Sequence, residues 1–317
     1  MLTTILPFSL WTVPETDRKA FAAQIAQTSL PNLNQWQRRV RCVSRQTWSE
    51  SALSSPHEMA LAQALGWQDV RDGLLPQAAH IAQTLGLRCE ADEGWALISW
   101  CHWQVSNGQV IVCDPQDLAL DEPTNRQLFE LVQPFFAEDG VMLFAHRPGH
   151  WLAKSKAFLN LPTASLDRVV GRNIHAWMVG GEHPNASAQR LRRLQNEMQM
   201  LLYTHDLNAH RTPSINSFWV HGTGNLTAVH ASGEHQVHDD WRASALQHDF
   251  LSWLQTWQVL DARLFAPDAA TVQRWVLCGE DALHVYETVQ PKLWQTLRHQ
   301  WSPPRLEDIL LTTPLND

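Results

Sequence analysis

Leu191, Leu194, Met198, Leu201, Leu202 and His205 recur at three- and four-residue intervals, which predicts an amphipathic helix with one face on a core. Arg192, Arg193, Asn196, Glu197 and Gln199 occupy the other face. The turn Gly180 to Asn185 precedes it, with Asn185 or Ser187 as the N-cap candidate. A strand over Ile215 to His221 follows. Another helix is predicted for Trp241 to Val259, with Leu246, Phe250, Trp253, Leu254 and Trp257 inward. Thr271 to Cys278 then reads as strand and Pro291 to Trp301 as helix. Earlier, Trp95 to Trp100 and Gln109 to Cys113 are β-like runs joined across Ser106-Asn107-Gly108, a predicted hairpin. Asp121-Glu122-Pro123 opens a helix through Leu128, Leu131, Val132, Phe135 and Phe136 that stops at Asp139-Gly140; Val141 to Phe144 and His150 to Leu152 resume as strand.

The N-terminal part has a different texture. After a short first strand within Leu2 to Trp11, the chain from Pro14 to about Gly86 reads as mainly helical, broken at Ser54-Ser55-Pro56 and Leu75-Pro76. The expected class is therefore α/β or α+β, a mixed sheet flanked by helices. The expected division is a mainly helical portion over 1–90 and an α/β domain over 91–317, or one continuous domain; 317 residues sit near the upper size for a single core.

Composition narrows the class. Hydrophobic residues at 44% and charged residues at 18% fit a soluble globular chain, and no long apolar run suits a membrane span. The five cysteines are widely spaced without a Cys-x-x-Cys pair, which favours reduced thiols and a cytoplasmic setting. A net charge of −8 argues against broad nucleic-acid binding, the best basic patch being Arg38, Arg39, Arg41 and Arg45. Sixteen tryptophans are dispersed rather than periodic and are read as core residues.

Candidate chemistry concentrates between Asn196 and Gly224. Arg211 offers a fork of donors suited to a carboxylate or phosphate, Asn208 and Asn216 donate and accept, and Gly222 and Gly224 permit close backbone approach. The same residue types are the ordinary stock of turns, where asparagines satisfy carbonyls and an arginine caps a helix end. Both readings stand at this level.

The order N-E-M-Q-M-L-L (Asn196 to Leu202), H-x-x-N-x-x-R (His205, Asn208, Arg211) and N-S-F-W-V-H-G-T-G (Asn216 to Gly224) resembles the bacterial RpfE-type regulatory proteins, often labelled cofactor-independent phosphoglycerate mutases. The resemblance runs from about Trp95 to near Cys278. The block is also similar to a segment of archaeal-type phosphoglycerate mutases of the alkaline-phosphatase-like superfamily. It implies a regulatory protein binding a small anionic or phosphorylated metabolite, or a protein partner, through Asn196, Gln199, His205, Asn208, Arg211, Asn216, Gly222 and Gly224. The departure is in the metal site. Mutases of that kind hold two divalent metals on Asp and His groups, whereas this chain has no acidic residue before Glu15. Catalysis and a resident cofactor are therefore not expected; one alternative is an enzyme acting on a phosphate ester with manganese or zinc on His235, His238 and Asp239, in a segment that reads as surface loop, and another is a protein-protein interaction module with no small ligand, its tryptophan-rich surface packing on a partner. No Gly-x-Ser-x-Gly elbow or Walker loop occurs, and Cys278 near His284 reads as a small buried residue closing a strand.

Overall fold

The computed structural model describes residues 2–226, 233–266, 272–288 and 305–314. In chain order its elements begin with β1 (Leu2–Leu6), β2 (Trp11–Thr12), α1 (Glu15–Gln27), α2 (Pro31–Trp36), β3 (Val40–Thr47), α3 (Pro56–Ala64) and α4 (Gln77–Thr84). There follow β4 (Gly94–Cys101), β5 (Trp103–Ser106), β6 (Gln109–Val112), α5 (Glu122–Glu138), β7 (Met142–Arg147), β8 (His150–Ser155), α6 (Leu166–Val169), α7 (Ala186–Tyr203) and β9 (Ser217–Gly224). The chain continues with β10 (His235–Val237), α8 (Arg242–Leu246), α9 (Phe250–Phe265), β11 (Val272–Cys278), β12 (Ala282–Thr288), α10 (Glu307–Leu310) and β13 (Leu311–Thr312). The class is mixed α/β, with sheets flanked by helices. The chain divides into two units, the first from 1–50, 55–67 and 230–317 and the second from 51–54 and 68–229.

Unit 1 is built on a five-stranded mixed sheet in the order β10-β1-β11-β12-β3, with β1 parallel to both neighbours and the other pairs antiparallel. One face packs Leu6, Trp275 and Leu277 against Trp36 and the apolar side of α9, including Trp253, Trp257 and Phe265. The rings interlock: Phe265 stacks on Trp275 at 4.7 Å and Trp36 meets Tyr286 at 5.2 Å. The other face sets Ile5, Val276, Cys278, Leu283 and Val285 against Ala60 of α3. Asp261, only 3% exposed, accepts from the Asn32 and Leu33 amides and from Asn32 Nδ2, so a side chain of α9 caps α2.

Unit 2 carries a four-stranded antiparallel sheet, β7-β8-β4-β9. Its first face, with Ala96, Ile98, Trp100, Trp151, Phe218 and Val220, packs on α5 and α7. Both helices follow their periodicity, burying Leu128, Val132 and Phe136, and Leu191, Leu194, Met198 and Leu202. Asp121 and Asn185 accept from the Thr124 and Ala188 amides as N-caps. The second face receives α4. On the first face, Gly94 meets the backbone of Phe158 and Leu159 so closely that a Cβ would collide with it.

Several expectations change. The N-terminal portion is not mainly helical: Val40–Thr47 forms an eight-residue strand. Its two valines and terminal threonine suit an extended chain, and pairing with β12 outweighs the helical texture around it. The Ser106-Asn107-Gly108 turn does join a hairpin, but between β5 and β6; β4 instead pairs with β8 and β9. The predicted helix over 241–259 is two helices, broken where His248 takes φ +53° and Asp249 caps α9 through the Ser252 amide. His205 lies past the end of α7 rather than on its buried face. The predicted helix over 291–301 lies outside the described residues.

Candidate functional site

The turn after α7 is held by its own polar side chains. Asn208 Oδ1 accepts from the Ile215 amide at 2.8 Å, and its Nδ2 donates to the Leu202 and Ile215 carbonyls at 2.9 and 2.7 Å. The end of α7 and the approach to β9 are thereby tied through one side chain. Asn216 Oδ1 accepts from the Trp103 amide at 2.6 Å while its Nδ2 donates to the Trp103 carbonyl at 3.0 Å, imitating a ladder pair. His205 Nδ1 accepts from the Leu207 amide at 3.1 Å. These three side chains are engaged in fixing backbone.

Arg211 differs. It is half-buried; its Nη2 donates to the Leu118 carbonyl, and its Nε is buried without a hydrogen-bond partner among the described residues. Nearby, the Asp121 carboxyl is held below the usual carboxylate range, first by its bonds with Thr124 and more weakly by the Arg211 charge. Asn196 is exposed on α7 and Gln199 half-buried. Gly222 and Gly224 sit in β9 at φ +62° and +136°, where a Cβ would meet Gln77 Cβ at 3.2 Å and Pro76 Cβ at 3.3 Å. Their lack of a side chain lets α4 approach the sheet.

A second arrangement in the same unit escapes sequence reading. Ser99 Oγ lies 2.9 Å from His150 Nδ1 and 2.9 Å from His221 Nε2. Ser99 pairs with His150 across β4 and β8, whereas His221 faces Leu97 across β4 and β9 and reaches diagonally. The hydroxyl carries one proton, so it donates to one ring and accepts from the other, linking two imidazoles. Ser99 and His221 are buried, and His150 is half-buried. Gaps of 51 and 122 residues hide the arrangement in sequence. The available signal was a polar residue inside each of two strands buried on both faces.

The three metal-ligand candidates lie in unit 1. His235 Nδ1 is 3.2 Å from the Gly233 carbonyl oxygen, the His238 amide donates to the Ile5 carbonyl, and the Asp239 carbonyl accepts from the Arg242 amide. Among the described residues no three His, Cys, Asp or Glu side chains group as a metal site, and β1 has no acidic residue. These residues do not fit a two-metal phosphoryl-transfer centre. Both Cys278 and Cys101 are fully buried and their thiols pushed up by burial. No helix among the described residues is long and apolar enough to cross a membrane.

The chain matches no family model and no curated protein. Among solved structures it is similar to the cofactor-independent phosphoglycerate mutase from Thermoplasma acidophilum DSM 1728, at 13% identity and TM-score 0.34, over 92% of this chain and 90% of that one. It is also similar to the PH0037 protein from Pyrococcus horikoshii, at 10% identity and TM-score 0.44, over 90% and 87%.

Proposed function

We propose that this chain is a regulatory binding protein for a small anionic or phosphorylated metabolite, working without a resident cofactor and reading the anion with Arg211. The block that carries the resemblance to RpfE-type regulators, Asn196 to Gly224, contains this arginine. What supports the reading most is the division of labour within the turn. His205, Asn208 and Asn216 are engaged with backbone, while Arg211, on the frame they fix, keeps a buried Nε without a partner among the described residues. A guanidinium has five N–H donors in a fixed fork, and one is accounted for by the Leu118 carbonyl. Donors held before the ligand arrives lose less freedom on binding. Asn196 and Gln199 belong to the same proposed surface, whereas Gly222 and Gly224 serve the approach of α4 to the sheet.

Calorimetric titration with 3-phosphoglycerate and with inorganic phosphate tests this. Arg211→Ala weakens binding at least about tenfold, the consequence of losing a charged hydrogen bond worth about 1.5–3 kcal/mol. A chain that binds neither compound, or an Arg211→Ala chain that binds as the parent does, overturns the proposal.

The Ser99, His150 and His221 arrangement favours a second reading, an enzyme acting on a phosphate ester. A serine hydroxyl between two imidazoles has the base that a nucleophile needs. Release of phosphate from phosphoglycerate, abolished in Ser99→Ala, is its expected result; a parent chain with no turnover excludes it.

A further inference from the structure

At one corner of the unit 1 sheet, a register irregularity gathers polar side chains. Val285 pairs with Ser44 but Tyr286 pairs with Cys42, so Val43 is left over as a bulge residue. The bulge brings Arg45 and Cys42, three apart in sequence, onto one face opposite His284 and Tyr286. His284 and Tyr286 are 7% and 4% exposed, with ring centroids 6.4 Å apart. Yet His284 Nδ1 and Tyr286 Oη are buried without a partner at hydrogen-bond geometry among the described residues. The Arg45 guanidinium lies near enough to interact with both Tyr286 and Cys42. Buried polar atoms are nearly always paired in folded proteins, so two such atoms beside one cation call for an explanation.

The surroundings say which ligand charge suits the place. The chain carries a net charge of −8, but Arg38, Arg39, Arg41 and Arg45 all fall in the stretch that leads into and along β3. All four are exposed, and β3 is the edge strand of its sheet among the described residues. Burial pushes the Tyr286 phenol up to about 12, so its hydroxyl stays a donor at neutral pH. A neutral histidine has one ring N–H, and the Nδ1–H tautomer places it on the unpartnered atom.

We propose that this corner is a binding site for a small oxyanion, a phosphate or carboxylate group, received by the Arg45 guanidinium, the Tyr286 hydroxyl and the His284 Nδ1–H. An oxyanion supplies several acceptor oxygens to the planar fork of Arg45 and to two further donors, the acceptor that the buried His284 and Tyr286 atoms lack among the described residues. Nothing in this site involves Arg211, which belongs to the other unit.

The test is calorimetric titration of the full-length Arg211→Ala chain with inorganic phosphate and, separately, acetate. Using that background makes the outcome independent of the turn after α7. The expected result is saturable binding of at least one anion, weakened about tenfold or more by adding Arg45→Met and about threefold by adding Tyr286→Phe, in line with charged and neutral hydrogen bonds respectively. Adding Arg41→Met leaves it unchanged. Binding of phosphate alone assigns the site to phosphoryl groups, and binding of acetate alone to carboxylates. No binding of either anion at about tenfold above cellular phosphate levels, or equal binding after Arg45→Met in a chain with parental circular dichroism, overturns the proposal.

Discussion

His284 makes the stability of unit 1 depend on pH. Its ring is 7% exposed between β11 and β3, and burial, helped by the Arg45 charge, lowers its pKa from the ordinary 6.5 to about 4. Protons therefore bind the unfolded chain first as the pH falls. Stability is full above about pH 6.5, declines as the pH drops towards 4, and levels off below that. With these two values the loss between pH 7 and pH 5 is about 2 kcal/mol, against a ceiling of about 3 kcal/mol once both states are protonated. Urea denaturation at several pH values between 7 and 4.5, followed by tryptophan fluorescence, measures it; Trp36 and Trp275 report on this unit. The comparison is His284→Phe, which fills a similar volume and does not titrate. His146 and His238 are also lowered, by burial first, so the variant keeps a residual slope. The difference between the two slopes is the quantity predicted. Equal slopes for the parent and His284→Phe would refute the assignment of this proton uptake to His284.

Other perturbations follow from the packing. Asp261→Ala removes three hydrogen bonds from the start of α2 and costs about 2–3 kcal/mol, with Asp261→Asn costing roughly half as much, by chemical denaturation. Asn208→Ala unties α7 from β9 and lowers stability by about 2 kcal/mol, seen as faster amide exchange at Ile215. Gly94→Ala drives a Cβ into the backbone at Phe158 and Leu159 and costs more than about 3 kcal/mol, read from the melting temperature of the variant. Gly224→Ala, strained at φ +136° and close to Pro76, costs about 1–3 kcal/mol by the same measurement.

Sequence periodicity was a good guide where a single helix buries one stripe. Helices α5 and α7 could be read directly, because each is long enough for the three-and-four spacing to repeat, and of the two N-cap candidates for α7, Asn185 and Ser187, the structure uses Asn185. β3 could not, since its residues alternate weakly and it owes its conformation to β12, nearly 240 residues later. The break at His248 and Asp249 was hidden by apolar residues that continue the spacing through it. At the candidate site, the types of residue in the turn were visible but their partners were not. Whether Asn216 meets a ligand or the Trp103 backbone is decided by a strand more than a hundred residues away. Ser99, His150 and His221 come together only through strand register, which no local pattern encodes.

The strand order of unit 1 bears on how the chain emerges during synthesis. β1 is made first, yet its two neighbours, β10 and β11, begin at His235 and Val272. At translation speeds of roughly 5–20 residues per second, β1 waits for some tens of seconds before either partner exists. Its apolar residues Ile5 and Leu6, both fully enclosed in the finished sheet, have neither neighbouring strand to pair with throughout that interval. Unit 2, drawn almost wholly from one continuous stretch, faces no such delay. On the ribosome the second unit is thus positioned to fold before the first, and the opening residues of the chain are among the last to find their place.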